Sequence, residues 1–175
     1  MSINIKSQKK LARLAGGLFF IWILTGIYGI FYIPSQITMT GEAKTVAQNI
    51  LSNEFLFRTG IINNLISSLI WIIMVLIFYR LFKSVNERHA KLLVAFVIVQ
   101  IPVVIISEAF NITSLMLFKG EILKAFELSQ RQELAVLFLN INDYVVSALI
   151  LYWGLWLLPL GSLVYKSGFI LEYGF

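Results

Sequence analysis

Cysteine is absent from the 175-residue chain, which excludes disulfides, zinc–thiolate sites and a lipid-modified cysteine anchor. Charge is scarce, at 13% of residues, where a soluble globule carries about 25%. Histidine occurs once, as His89, and proline three times. No HExxH, GxSxG, glycine-rich phosphate loop or cysteine nucleophile is present. These gaps point away from an enzyme, and the expectation is a protein with no cofactor and no metal site.

Apolar residues fill the space. They make up 59% of the chain, with a mean hydropathy of +0.85, a balance suited to lipid rather than water. The net charge of +5 is no nucleic-acid footprint, because the Lys and Arg residues lie between long apolar runs and form no patch of their own. A single integral membrane domain over 1–175 is expected, its partner the lipid bilayer, with a homo-oligomer or a membrane partner left open and no nucleic acid.

Crossing a hydrocarbon core about 30 Å thick takes about 20 helical residues. Four runs are long enough, near 11–33, 59–82, 92–117 and 134–165, followed by a short tail at 166–175. The first run follows Lys6, Lys9, Lys10 and Arg13, yet it is too long for a signal-peptide core and ends in Phe31-Tyr32-Ile33-Pro34, which is no small-residue cleavage site. Basic residues set the orientation. The N-terminus and the loop with Arg80, Lys83, Arg88 and Lys91 hold more of them than the loops with Lys44 and Arg58 or with Lys119, Lys124 and Arg131. Both termini are therefore expected on the cytoplasmic side of a bacterial inner membrane. His89 is read as solvated in its charged loop.

The expected fold is all-α, a polytopic bundle of four transmembrane helices with a short amphipathic helix in the first outer loop. There Ala43, Val46, Ala47, Ile50 and Leu51 recur at helical spacing. Ser129-Gln130-Arg131-Gln132 fits a capping box that would start the fourth helix, while Pro102 should kink the third helix and Pro159 the fourth. Sliding the chain by 79 positions pairs Gly41-Glu42 with Gly120-Glu121, Glu54 with Glu133, Asn63 with Asn142, Asn64 with Asp143 and Ser68 with Ser147. That pattern is a weak parallel repeat of helical hairpins.

The polar residues at membrane depth carry the functional question. Glu108 stands in "QIPVVIISEAFNIT", roughly 6 Å outside the midplane at 1.5 Å per residue. Asn111 continues its face. The fourth helix brings Asp143 to a similar depth, with Asn140 and Ser147 on the same stripe and Asn142 beside it, and the second contributes Asn63, Asn64, Ser67 and Ser68. A lone charge at the bilayer centre costs about 2.5–3.5 kcal/mol on insertion scales, so such groups turn inward. Glu108 and Asp143 are expected to face each other in an outer-half polar cluster, with Arg58 the nearest counter-charge and Gln100 extending the track inward. The candidate ligand-binding residues are Glu108, Asp143, Asn64, Asn111, Asn140, Asn142 and Arg58. Asn and Ser also serve as plain interhelical glue. Thr25 and Gly29 read as a close-packing face of the first helix, and Trp153 and Trp156 as packing or lipid-facing bulk.

Several stretches together resemble the bacterial DUF4386 family of integral membrane proteins: "KKLARLAGGLFFIWILTGIYGIFYIPS", "NEFLFRTGIINNLI" and "LFLNINDY" with "YWGLW" and "LVYKSGFI". The resemblance covers nearly the whole chain and implies a membrane protein without an established activity. It also implies departures. Family members tend to carry Asp at the position of Asn64, Asp and His near Asn140 and Asn142, and His at Trp156. They usually continue into further membrane helices where this chain ends, so a shortened member is expected.

The leading functional reading is a membrane-embedded binding or transport unit for a small polar ligand, cation or proton. The alternative is a structural or regulatory membrane protein whose polar residues only fix packing or a partner. An intramembrane enzyme ranks last.

Overall fold

The computed structural model describes residues 5–168. Most of the expected tail, from residue 169 onward, lies outside the described residues. In chain order come α1 (Ile5–Ile27), a π-helical turn (Tyr28–Tyr32), α2 (Ile33–Gln36), α3 (Ala43–Ser52), α4 (Glu54–Phe82), α5 (Glu87–Ile98), α6 (Ile101–Lys119), α7 (Leu128–Leu155) and α8 (Leu157–Lys166). No strand occurs among the described residues. Four helical runs, Gln8–Gln36, Glu54–Phe82, Glu87–Lys119 and Leu128–Lys166, are long and apolar enough to cross a membrane. This is the all-α, four-span membrane fold the composition calls for.

Spans two to four start several residues before their apolar stretches because polar first turns are stabilised locally. Glu54 accepts from Arg58 four residues on, at 2.8 Å. The Asn86 side chain accepts from His89 N at 3.1 Å and caps α5. At α7 the cap differs from the sequence expectation. The Gln130 side chain reaches back to Glu127 N at 3.1 Å, and Arg131 N donates to Glu127 O at 3.1 Å. The box therefore runs from Glu127 to Gln130, with Ser129 already inside the helix. Gln130 satisfies the free N–H that counts, two residues before the position the Ser-Gln-Arg-Gln pattern favoured.

Each proline breaks the α-helical ladder within four residues before it. A proline has no N–H for the carbonyl four residues back, so Pro34, Pro102 and Pro159 deprive the carbonyls of Ile30, Ile98 and Leu155. The first deficit coincides with the π-helical turn, where Ile33 N reaches back five residues to Tyr28 O. The second opens the gap between α5 and α6, where Gln100 N takes the carbonyl of Val97 at 3.1 Å. The third separates α7 from α8 at Trp156. The kinks expected at Pro102 and Pro159 are thus present as breaks.

The chain forms two compact units, each drawing a segment from every span. One comprises Met1–Ile23, Ser68–Pro102 and Leu149–Phe175, the other Leu24–Ser67 and Val103–Ala148. The first is a tryptophan unit. Trp22, Trp71 and Trp156 meet with ring centroids 5.4, 5.9 and 6.2 Å apart, against buried Met74, Leu93, Val97 and Leu163. Aromatic contacts of this kind add about 0.5–1.5 kcal/mol each beyond the area buried. Here His89 is no loop residue: its cap by Asn86 puts it in the first turn of α5, and its Nδ1 lies 3.0 Å from Ser162 Oγ on α8.

The second is a polar unit. Its apolar part is built on α3, whose Ala43, Val46, Ala47 and Ile50 are buried against Ile33, Ile37, Phe57, Leu117 and Phe118 among others. The amphipathic helix expected in the first loop is therefore a packed cap of this unit, with Leu51 at its edge, 39% exposed. The 79-residue repeat survives in part. Gly41 and Gly120 both turn the chain at positive φ, 115° and 70°, where a side chain would be strained. Ser68 is buried and its counterpart Ser147 exposed, so that pair has diverged.

Ile50, fully buried on α3, should lose about 2–5 kcal/mol of stability as Ile50→Ala. Leu51→Ala at the exposed edge should lose far less. Unfolding of the detergent-solubilised protein by increasing denaturant measures both.

Candidate functional site

The polar residues of the second unit are aimed by helix periodicity. On α4, Asn63 and Ser67 are four residues apart and share one stripe, which meets α1. Asn63 Nδ2 donates to the carbonyl of Thr25 at 2.9 Å, and Thr25 Oγ1 donates to Ser67 Oγ at 3.0 Å. Asn64, one residue and about 100° further round, points instead to the third span. Its Nδ2 donates to Glu108 Oε1 at 2.7 Å. Asn111, three residues after Glu108 on the same helix face, donates to Oε2 at 3.0 Å.

Glu108 is 4% exposed, and these two amides are its only hydrogen-bonding partners among the described residues. Among the described residues no Lys, Arg or His reaches it. An acid so enclosed carries a large desolvation penalty if it is charged and unpaired. This is the site's defining electrostatic feature.

Gly29 makes the amide arrangement possible. A Cβ there would stand 2.9 Å from Asn64 Oδ1 and 3.0 Å from Asn63 Nδ2, closer than a real Cβ tolerates. The close-packing face read on Thr25 and Gly29 is thus the surface on which both asparagines rest. Nearby, the Tyr28 hydroxyl and Thr59 Oγ1 share a hydrogen bond at 2.7 Å.

The fourth span contributes differently from the expectation. Ala135, Leu139, Asn142 and Leu149 are buried and recur on one stripe of α7. Asn142 Nδ2 donates to both the carbonyl and the Oγ of Ser107, at 2.9 and 2.7 Å. Asp143 falls about 100° away from Asn142 and is exposed. Among the described residues it has no hydrogen-bond or ion-pair partner. The facing pair of acids, Glu108 with Asp143, is therefore not formed: the helix can turn only one of residues 142 and 143 fully inward, and the amide takes that place. Asn140 is likewise off the stripe, half-buried and without a hydrogen-bond partner among the described residues.

Arg58 also leaves the predicted set. It is half-exposed and bound to Glu54 at 2.7 Å, whose carboxylate also takes Lys119 at 3.1 Å. With an acid one turn away on its own helix, it is not free to serve Glu108. Gln100 does not extend a track from Glu108. It sits in the tryptophan unit, where its Nε2 donates to the Phe96 carbonyl. That carbonyl lost its usual N–H when Gln100 N turned to Val97, so the side chain repairs the break ahead of Pro102. Ser107 was missed by the sequence reading, because a serine in an apolar helix carries no signal of its own.

Gly29→Ala should push the Asn64 amide off Glu108 and destabilise the fold by about 1–3 kcal/mol, as overpacking does. Gly26→Ala, in open space, should leave stability unchanged or slightly raised. Thermal unfolding of the two variants in one detergent separates these outcomes.

No curated protein and no solved structure matches the chain. The model of the family described as a domain of unknown function, DUF4386, matches residues 14–172. That match takes in most of the first span, the whole of the other three and every residue of the Glu108 cluster, and on it the chain belongs to the DUF4386 family.

Proposed function

We propose that this protein is a membrane-embedded binding unit whose ligand is a proton held on Glu108, in the service of transport across the bacterial cytoplasmic membrane. The observation that carries the reading is a buried carboxyl with two amide partners and no Lys, Arg or His beside it among the described residues. Within an apolar span such a group is neutralised by taking up a proton or a cation. The proton suits the geometry best. Both Glu108 oxygens already accept hydrogen bonds from amides, so a proton joins the cluster with the least rearrangement. Asn64 Oδ1 is held by Asn63 Nδ2 at 3.5 Å, but a half-turn of the Asn111 amide would offer its Oδ1 to a protonated carboxyl, since an amide donates on one side and accepts on the other. One flip accommodates both states.

The distribution of Lys and Arg supports placing both termini on the cytoplasmic side. The reading assigns no bond-making step to the protein. A second reading keeps one observation of its own: Asn63 and Asn142 spend their amides on main-chain carbonyls of neighbouring spans, and Ser114 does the same on Ala135 at 2.8 Å. Those contacts fix packing, and on this reading Glu108 belongs with them.

Stability against pH distinguishes the two. If the folded protein holds a proton on Glu108 that the unfolded chain releases, the native state binds more protons and stability falls as pH rises. The melting temperature of the purified protein should therefore drop from mildly acidic to mildly alkaline buffer. Glu108→Gln should flatten that slope while keeping the fold. A slope that is the same in both proteins sinks the proton reading. Stabilisation by sodium or calcium at fixed pH, lost in Glu108→Gln, would assign a cation instead.

A further inference from the structure

The tryptophan unit carries a second candidate site that the Glu108 reading does not use. Where α4 ends and α5 begins, an open groove of about 240 Å³ is lined by Leu76, Tyr79, Lys91 and Val94. Its walls are mainly apolar, and Leu76 is 47% exposed. It lies along two membrane spans, so its natural occupant is an acyl chain.

The charges beside it favour one class of lipid. From Arg80 to Lys91 the chain has Arg80, Lys83, Arg88 and Lys91 against a single acid, Glu87. Lys91 and Glu87 pair at 2.9 Å, both well exposed, and such a pair is weak enough for a phosphate to compete. Arg80, Lys83 and Arg88 are exposed and have no ion pair among the described residues. Lys166, one turn beyond Ser162, is also exposed and unpaired there, on the helix that Ser162 joins to His89 of α5. In the polar unit, by contrast, Arg58 and Lys119 are neutralised by Glu54 and Glu121. A basic rim in excess of its one acid, beside an apolar, lipid-facing groove, matches an anionic headgroup above an acyl chain.

We infer that this groove and rim form a binding site for an anionic phospholipid, with one acyl chain along Leu76, Tyr79 and Val94 and the phosphate at Lys91 and its unpaired basic neighbours. A zwitterionic lipid would fill the groove without answering the charge. Free phosphate would answer the charge without filling the groove.

The test uses the full chain in a mild uncharged detergent, titrated separately with phosphatidylglycerol, phosphatidylcholine and inorganic phosphate. Bound lipid is counted by native mass spectrometry and stabilisation is followed by melting. Phosphatidylglycerol should bind and raise the melting temperature, phosphatidylcholine should bind at least about tenfold more weakly, and phosphate should do neither. The exposed double variant R80Q/K83Q should lose about fivefold in phosphatidylglycerol affinity per cation removed. Val94→Trp, which fills the groove, should lose binding with the charge intact. Should that variant fail to fold, the charge variant alone decides. Equal binding of the two lipids, indifference to R80Q/K83Q, or full stabilisation by phosphate would overturn the assignment. Glu108→Gln should bind phosphatidylglycerol as the unaltered protein does, so this result stands or falls apart from the proton reading.

Discussion

A carboxyl sealed between two amides, with no cation to answer it, sets the terms for the polar unit. Glu108 can be buried there because Asn64 and Asn111 give each oxygen a donor. Asn64 can reach it because Gly29 leaves room for two asparagine side chains against α1. Asn63 then secures α1 through the Thr25 carbonyl, and Asn142 secures the fourth span to the residue just before Glu108. Amides suit this task. Each offers donors and an acceptor without a charge of its own, so all four spans are cross-linked around a single buried acid at little electrostatic penalty.

The second recurrent device is the proline-induced break. All three prolines remove a hydrogen bond from an apolar helix, where no water replaces it. The chain is remodelled differently at each break: a five-residue reach to Tyr28 before Pro34, the Gln100 side chain on the Phe96 carbonyl before Pro102, and a turn at Trp156, whose ring packs against Trp22 and Trp71, before Pro159. Gln100 and Glu108 are two buried polar residues of the third span, and they are used differently. Gln100 repairs backbone, whereas Glu108 accepts from two side-chain amides.

Much of this was readable in advance. Apolar run lengths gave the four spans, the prolines gave the two breaks looked for, and spacing gave the α3 cap with its buried Ala43, Val46, Ala47 and Ile50. Glu108, Asn64 and Asn111 do come together. The reading went astray where one residue decided the outcome. At positions 142 and 143 an amide and an acid compete for the inner face of α7, and composition favours neither. Arg58 stands at the rim nearest the cluster, but Glu54, one turn away on the same helix, holds it. His89 passed for a loop residue because the cap at Asn86 went unnoticed.

Membership of the lipid phase, the number of crossings and the supply of amides at matching depth belong to the order of residues, because hydrophobic length and helical period are local properties that any one span expresses alone. Which amide touches which carboxyl does not. That choice rests on the rotation of each helix about its axis, fixed jointly by Gly29, the Asn63 and Asn142 contacts and the packing of α3. A rotation of about 100° per residue separates a buried partner such as Asn142 from an exposed neighbour such as Asp143, and only packed neighbours hold a helix to that angle.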